Sequence, residues 1–395
     1  MHATHHNHGS NVPCSQSRAR LLLCWLALAV SGSATEVEVF SYTNPISDGL
    51  DPHGVRDCTV FREDSKWYMT GTAWPHWARQ EKFGVLNPGV MLYSSDDLKR
   101  WSFERIVISR PTSDKWYLER FWAPEIKKFR GKYYATFNCS NPTRGYPGQH
   151  FGYAVADNLT GPYRVVTEEK PLGPGNDLSL FEDDDGKVWA FWNRGPEFGI
   201  GFAELDLEKG VLLTKPQTAI LPGPIDYARK PDGSPVMEPG YDGRLVRKIE
   251  RCHDWDSIGI EGAFVVKHKG RYLLFYSSWT RGYEIGTASA DKITGPWTKN
   301  PQNPIYGAQS KTACEKAKLP YTGELSIPFD QVGHNAVFTG PDGNLWLSCH
   351  GILKSKPEQP MLVIDPIRFS EEGNPIKSNP THEPQVIALP LSQPQ

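Results

Sequence analysis

Charge of one sign is what this chain most lacks. Its 395 residues carry 43 Lys and Arg against 45 Asp and Glu, a formal net charge of -2, with no long run of either sign. Nucleic acids and anionic membranes favour a concentrated basic patch, so neither partner is expected. Long apolar runs are also missing. One stretch stands out, "LLLCWLALAV" at residues 21–30, and its 10 residues are too few to span a bilayer. No C-x-x-C pair suggests zinc, and no G-x-G-x-x-G or P-loop suggests a bound nucleotide. Helical periodicity is nearly absent, and no low-complexity segment interrupts the chain.

The short apolar run has its own meaning. Arg18 and Arg20 precede it, and "SGSA" follows, with Gly32 and Ala34 at small-residue cleavage positions. Residues 1–34 therefore read as a signal peptide, with a mature start near Thr35 and an exported product that keeps no membrane segment after cleavage. Of seven cysteines, Cys14 and Cys24 fall in that leader. Cys58, Cys139, Cys252, Cys314 and Cys349 remain, an odd number at wide spacings, open to disulfides or buried thiols.

Turns and aromatics are what the chain has in plenty: 36 Gly, 33 Pro, 13 Trp, 16 Tyr and 17 Phe, spread along its length. They fall into a repeating phrase. Apolar residues, a polar turn and an aromatic-rich strand recur in "TVFREDSKWYMTGT" from 59, "EIKKFRGKYYATFN" from 125 and "SLFEDDDGKVWAFWN" from 179. They recur again in "FVVKHKGRYLLFYSS" from 264 and "AVFTGPDGNLWLSCH" from 336. Each phrase predicts a β-hairpin, and the shorter strands between them bring each unit to about four strands, one propeller blade. The expected fold is all-β, a five-bladed β-propeller over residues 35–395. A β-sandwich has no natural account of five similar units. A longer insertion is expected between the third and fourth blades, at 205–255.

Three repeats open with an acid. Asp57, Asp177 and Glu261 precede the aromatics of their hairpins by similar distances, and "FWAPEI" places Glu125 comparably in the second. In a propeller the starts of the innermost strands converge on one mouth of the central channel. Carboxylates gathered there repel one another and split their pKa values, which lets one site hold both an acid and a base.

These phrases resemble glycoside hydrolase family 43, over essentially the whole mature chain. The resemblance implies Asp57 as general base, Asp177 as the modulator of pKa and orientation, and Glu261 as general acid. "FWAPEI" resembles the blade-two phrase and implies that Trp122 and Glu125 line the pocket. "VGHNAVF" resembles the blade-five phrase, whose histidine, here His334, sits near a central ion, often calcium, held through water. Arg56, Asn176, Trp279 and Arg281 join them as candidate substrate contacts, and no cofactor is required. One departure stands: the family has Pro after its base, whereas Cys58 follows Asp57, and "LDPHG" offers Asp51 before Pro52 as a competitor. The distance to the strand aromatics favours Asp57.

The expected activity is inverting hydrolysis of α-L-arabinofuranosides or β-xylosides in plant or algal oligo- and polysaccharides. Two other readings remain open, a carbohydrate-binding propeller without catalysis and a related anhydro-galactosidase. The oligomeric state stays open as well.

Overall fold

Each aromatic phrase pairs with its neighbours as a hairpin, because alternate strand positions face the two adjoining blades and both faces are apolar. The computed structural model describes residues 38–77, 86–112, 114–240, 245–323 and 328–390. The expected signal peptide, residues 1–34, lies outside them. Among the described residues no helix is long and apolar enough to cross a membrane.

Five antiparallel sheets follow one another along the chain. Blade one is Arg56–Glu63, Lys66–Thr72, Gly89–Ser95 and Ser102–Ser109, in spatial order. Blade two sets Glu119–Trp122 and Ile126–Phe129 against Lys132–Asn141, then Tyr146–Ala156 and short outer strands. Blade three runs Asn176–Glu182, Val188–Asn193 and Ile200–Asp206, closed by Val211–Leu212 and Gln217–Ile220. Blade four is Ile260–His268, Arg271–Ser278 and Gly282–Ala290 with Thr298–Lys299 and Tyr306–Gln309 outside. Blade five has Phe329–Thr339, Leu345–Leu353 and Pro360–Pro366.

The core divides into five apolar wedges, one at each seam between blades. Val60, Met69 and Tyr93 of blade one meet Phe338, Trp346 and Ile364 of blade five. Val90, Leu92 and Phe137 fill the seam of blades one and two. Phe151, Leu178 and Ala190 fill the next, then Phe191, Val265 and Tyr276, then Phe275, Phe329 and Cys349. A wholly buried side chain of this size contributes roughly 1.5–3 kcal/mol. Cys58, Cys139, Cys252, Cys314 and Cys349 are all buried free thiols.

The ring closes on a buried carboxylate. Among the described residues blade five has three paired strands; Ile46 bridges to Leu362 at its outer edge, and Val39–Tyr42 pairs with Gln385–Ala388. Asp365, 3% exposed, receives hydrogen bonds from Tyr42 (2.7 Å), Tyr306 (2.5 Å) and the Thr381 hydroxyl (2.6 Å). It thereby joins the chain start, blade four and the C-terminal segment. Replacing Asp365 with alanine strands these buried donors, and a loss of about 3 kcal/mol is expected. A fall in the thermal unfolding midpoint of the purified chain reads it; an unchanged midpoint would refute the clasp.

The insertion begins later than the sequence suggested. Residues 205–220 complete the outer part of blade three, because Gln217–Ile220 pairs back onto Ile200–Asp206. Residues 221–240 and 245–259 instead carry two strand pairs, Ile225–Tyr227 with Ile249–Cys252 and Met237–Pro239 with Leu245–Arg247. The base of the insertion is pinned by the fully buried Asp256, which accepts from Gly223 N–H (3.0 Å), Tyr276 (3.1 Å) and Lys299 (2.5 Å). Strand Ile249–Cys252 packs against the short helix Lys311–Ala317, which stands at one mouth of the channel.

Candidate active site

Every innermost strand bends at its start. Register shifts fall between Arg56 and Thr59, Asn176 and Ser179, Glu261 and Phe264, and Gly333 and Ala336, and in blade two an extra residue falls between Trp122, opposite Asn138, and Ile126, opposite Ala135. At the bends Asp57, Ala123, Asp177, Gly262 and His334 all take positive φ, between 44° and 63°. Such β-bulges re-aim side chains, and Asp and His are among the few non-glycine residues that enter this region readily. The result is one residue per blade turned toward the channel axis. Blade four differs: glycine occupies the bend, and the acid is the preceding residue, Glu261. A Cβ at position 262 would meet the His334 backbone and ring at 3.7 Å, so the bare glycine leaves space beside the imidazole.

Each bend frees a backbone N–H from the ladder, and the neighbouring blade satisfies it. Asp57 N–H donates to His350 Nδ1 (3.0 Å), Ala123 to Thr72 Oγ1 (2.8 Å), Asp177 to Asn138 Oδ1 (2.9 Å) and His334 to Ser277 Oγ (2.9 Å). At the remaining seam Gly262 N–H donates to Asp177 Oδ2 (3.0 Å). The acceptors Thr72, Asn138, Ser277 and His350 occupy one register position, opposite Arg56, Trp122, Glu261 and Gly333. Asn193 holds that place in blade three and donates to Asn176 instead (3.0 Å). These partners were missed in the sequence, although each repeat closes on a polar residue: "TGT", "TFN", "FWN", "YSS", "SCH". Asn138, the head of an "NCS" glycosylation pattern, is wholly buried in this role.

The three acids meet in a cavity of about 750 Å³, together with His334 and Tyr283. Asp57 Oδ2 accepts from Thr72 Oγ1 (2.5 Å), and its Oδ1 lies 3.4 Å from Nδ1 of both His334 and His350. Burial works to raise the Asp57 pKa, but His334, Arg56 and the Thr72 hydroxyl together hold it well below the usual carboxylate range. His350 itself is driven down by burial and by Arg56. Asp177 and Glu261 go the other way. Burial, then the charge of Asp57, pushes Asp177 up to about 7. Burial, then the charge of Asp177, pushes Glu261 up to about 7. Glu261 Oε1 accepts from Tyr283 (2.6 Å), whose hydroxyl is also 3.1 Å from His334 Nδ1, and Asn176 approaches Oε2 at 3.3 Å. One site thus sets a carboxyl of depressed pKa beside two whose pKa values are raised.

Aromatic rings frame the mouth. Trp77 and Trp122 meet edge to face with centroids 5.5 Å apart, and Arg56 lies over Trp77 at 4.9 Å. Trp279 stands on the opposite, blade-four side, over Gly259. Ser310, Ala313 and Lys316, on and beside the short helix, complete the rim. Arg56, Trp122, Asn176, Trp279 and His334 all line this cavity.

Two expected pocket residues are not. Glu125 follows the Ala123 bend by two residues, which carries it farther along the channel, where it pairs with Lys127 at 3.1 Å. Arg281 turns back along its own blade and pairs with Glu284 through two hydrogen bonds of 2.9 Å. Asp51, the competitor for the base, receives His53 N–H (2.8 Å) in a surface turn. The calcium implied beside His334 was tested against the donors present. Among the described residues Asp177, Glu261 and His334 each place one ligand atom within 4.8 Å of the others. Two carboxylates and an imidazole supply only part of the 6–8 oxygens that calcium takes, so these side chains do not by themselves enclose that ion.

Fold and site together define a five-bladed propeller with a carboxylate-lined axial pocket. The family described as "Glycosyl hydrolases family 43" matches residues 42–375, and the chain belongs to it. It is 25% identical over 332 residues to "Xylosidase/arabinosidase 43B" of Humicola insolens, covering 77% of this chain and 48% of that protein. It is 27% identical to "Xylan 1,3-beta-xylosidase" of a Vibrio species, covering 73% and 48%. The chain thus spans about half the length of these relatives. Among solved structures, a thermostable family-43 glycoside hydrolase superposes with a TM-score of 0.62 at 24% identity, covering 87% of this chain and 98% of that one. That likeness confirms the propeller expected from the repeats.

Proposed function

We propose that the protein is an exported, inverting glycoside hydrolase acting on α-L-arabinofuranosides or β-xylosides of plant or algal oligo- and polysaccharides. The observation that carries the reading is the opposed protonation of two carboxyls in one pocket. Asp57, held ionised, draws a proton from water; Glu261 gives one to the leaving glycosidic oxygen; burial first, and then the charge of Asp177, favour the protonated form of Glu261. Asp57 and Glu261 are joined through His334 and Tyr283 by contacts of 3.4, 3.1 and 2.6 Å. Those links cap the separation of the facing oxygens below the about 9.5 Å at which the inverting range ends. Trp77, Trp122 and Trp279 offer flat apolar faces to sugar C–H groups, and Arg56 and Asn176 offer hydrogen bonds. The names of the relatives point to pentose substrates, the leader-like residues 1–34 point to export, and the chemistry calls for no cofactor.

The test is hydrolysis of xylo- and arabino-oligosaccharides by residues 35–395, with the anomer of the first product read by NMR. Inverted product supports the mechanism; retained product removes Asp57 from the base role. Saturable sugar binding with no turnover would favour the non-catalytic reading.

A pH profile follows. Glu261 must be protonated, so kcat/KM is expected to be high below about 7 and to fall as pH rises through that value. Asp57 must be ionised, and its depressed pKa carries the acid limb below the ordinary carboxylate range. Asp177→Asn removes a charge that raises Glu261, so its alkaline limb should move to lower pH. An unmoved limb would take the modulating role from Asp177.

A further inference from the structure

The channel beneath the three acids is not empty of charge. Lys127, the second residue of blade two's inner strand Ile126–Phe129, points its ammonium inward. Its Nζ lies 3.1 Å from Glu125 Oε2, 2.9 Å from Ser179 Oγ and 2.7 Å from the Leu180 carbonyl oxygen. It also sits 3.9 Å from the centroid of the Phe264 ring. Blades two, three and four therefore each contribute to one small cation cage: a carboxylate, a hydroxyl, a carbonyl and the negative face of an arene. The side chains of Lys127 and Glu125 are 17% and 12% exposed. Ser179 Oγ donates to the same Glu125 oxygen at 2.9 Å, which fixes the carboxylate.

This cage adjoins the catalytic ring. Ser179, which holds Glu125 at 2.9 Å, follows Asp177 by two residues on the same inner strand. Four carboxylates, Asp57, Asp177, Glu261 and Glu125, thus bear on one narrow axis. Burial opposes the charge on both Glu125 and Lys127, and each is drawn back toward ionisation by the other. A buried charge pair is costly to break from one side, because the survivor keeps its charge without a partner.

We propose that the Lys127 ammonium is the propeller's built-in axial cation, a positioning residue that neutralises Glu125 and so maintains the charge state of Asp177 and Glu261 without a bound metal ion. The proposal rests on the glycosidase reading for its kinetic consequences. It assigns Glu125 a role beneath the pocket rather than in sugar binding.

The experiment compares the unaltered chain, Lys127→Ala, and the double variant Glu125→Gln/Lys127→Met, each dialysed against EDTA. The unaltered chain should keep its kcat after chelation, with no gain from added calcium. Lys127→Ala should lose at least about tenfold in kcat. Methylammonium, sized for the vacated cage, should restore much of that loss in a saturable manner. The double variant, which removes both charges, should recover most of the activity even if Lys127→Ala does not fold. Activity of the unaltered chain that disappears with EDTA and returns with calcium would overturn the proposal. So would a folded double variant as impaired as the single one, or a Lys127→Ala deficit that methylammonium leaves untouched. If the unaltered chain hydrolyses no sugar, the glycosidase reading fails by itself. The cation cage is then read from unfolding midpoints, where methylammonium should stabilise Lys127→Ala and not the unaltered chain; no differential shift would overturn it.

Discussion

Glu261→Gln is expected to lower kcat on a xylo- or arabino-oligosaccharide by about 10³-fold, within the range that a positioned general acid contributes. The amide keeps the shape of the side chain and can still accept from Tyr283, which lies 2.6 Å from Glu261 Oε1. What it loses is the proton that the leaving oxygen needs. The deficit should therefore depend on the leaving group. A dinitrophenyl glycoside departs without protonation, and its kcat should fall far less than that of the oligosaccharide. Equal losses on both substrates would show that Glu261 supports the pocket and does not act as the acid. The alkaline limb of the pH profile should also vanish in this variant, since no proton remains to be lost there.

Asp57→Asn is expected to cost a similar factor, about 10²–10⁴-fold, with a different signature. Water must be activated whatever the leaving group, so the activated and the natural substrate should suffer alike. Asparagine tolerates the left-handed backbone at φ 56° that Asp57 adopts. Its amide carbonyl can still accept from Thr72, and the backbone N–H still reaches His350. The variant should consequently fold, bind oligosaccharide with a KM near that of the parent, and turn over poorly. A variant with near-parental kcat would exclude Asp57 as base and reopen the search among the pocket carboxylates.

Much of the fold was legible because its signal is local. A polar turn between an apolar run and an aromatic strand marks a hairpin within 15 residues, and five such phrases mark five blades. Asp57 and Asp177 were legible for the same reason, as acids at equivalent distances before the aromatics. Residues whose position depends on the bulge were harder to place. The bend puts Ala123 in the inward position of blade two, so the acid in "FWAPEI" falls two residues too deep. In blade four the bend sits on Gly262, so Glu261 is one step out of register with the other two acids. Arg281 was misplaced because Glu284, three residues on, claims its guanidinium. Thr72, Asn138, Ser277 and His350 act across seams, and their partners are 39 to 293 residues distant in the chain. Nothing in a local window ties such residues together.

The five bonds at the bends have a bearing on how this molecule can be divided. Four of the five inward residues are held by the blade before them through a side chain, and the fifth, Gly262, is held by Asp177. A repeat cut free would carry its acid but leave behind the hand that aims it. The smallest unit able to shape the pocket is accordingly the closed circle. Breaks in the outer connections between blades should be tolerated, whereas loss of any one blade should disarm acids that it does not itself contain.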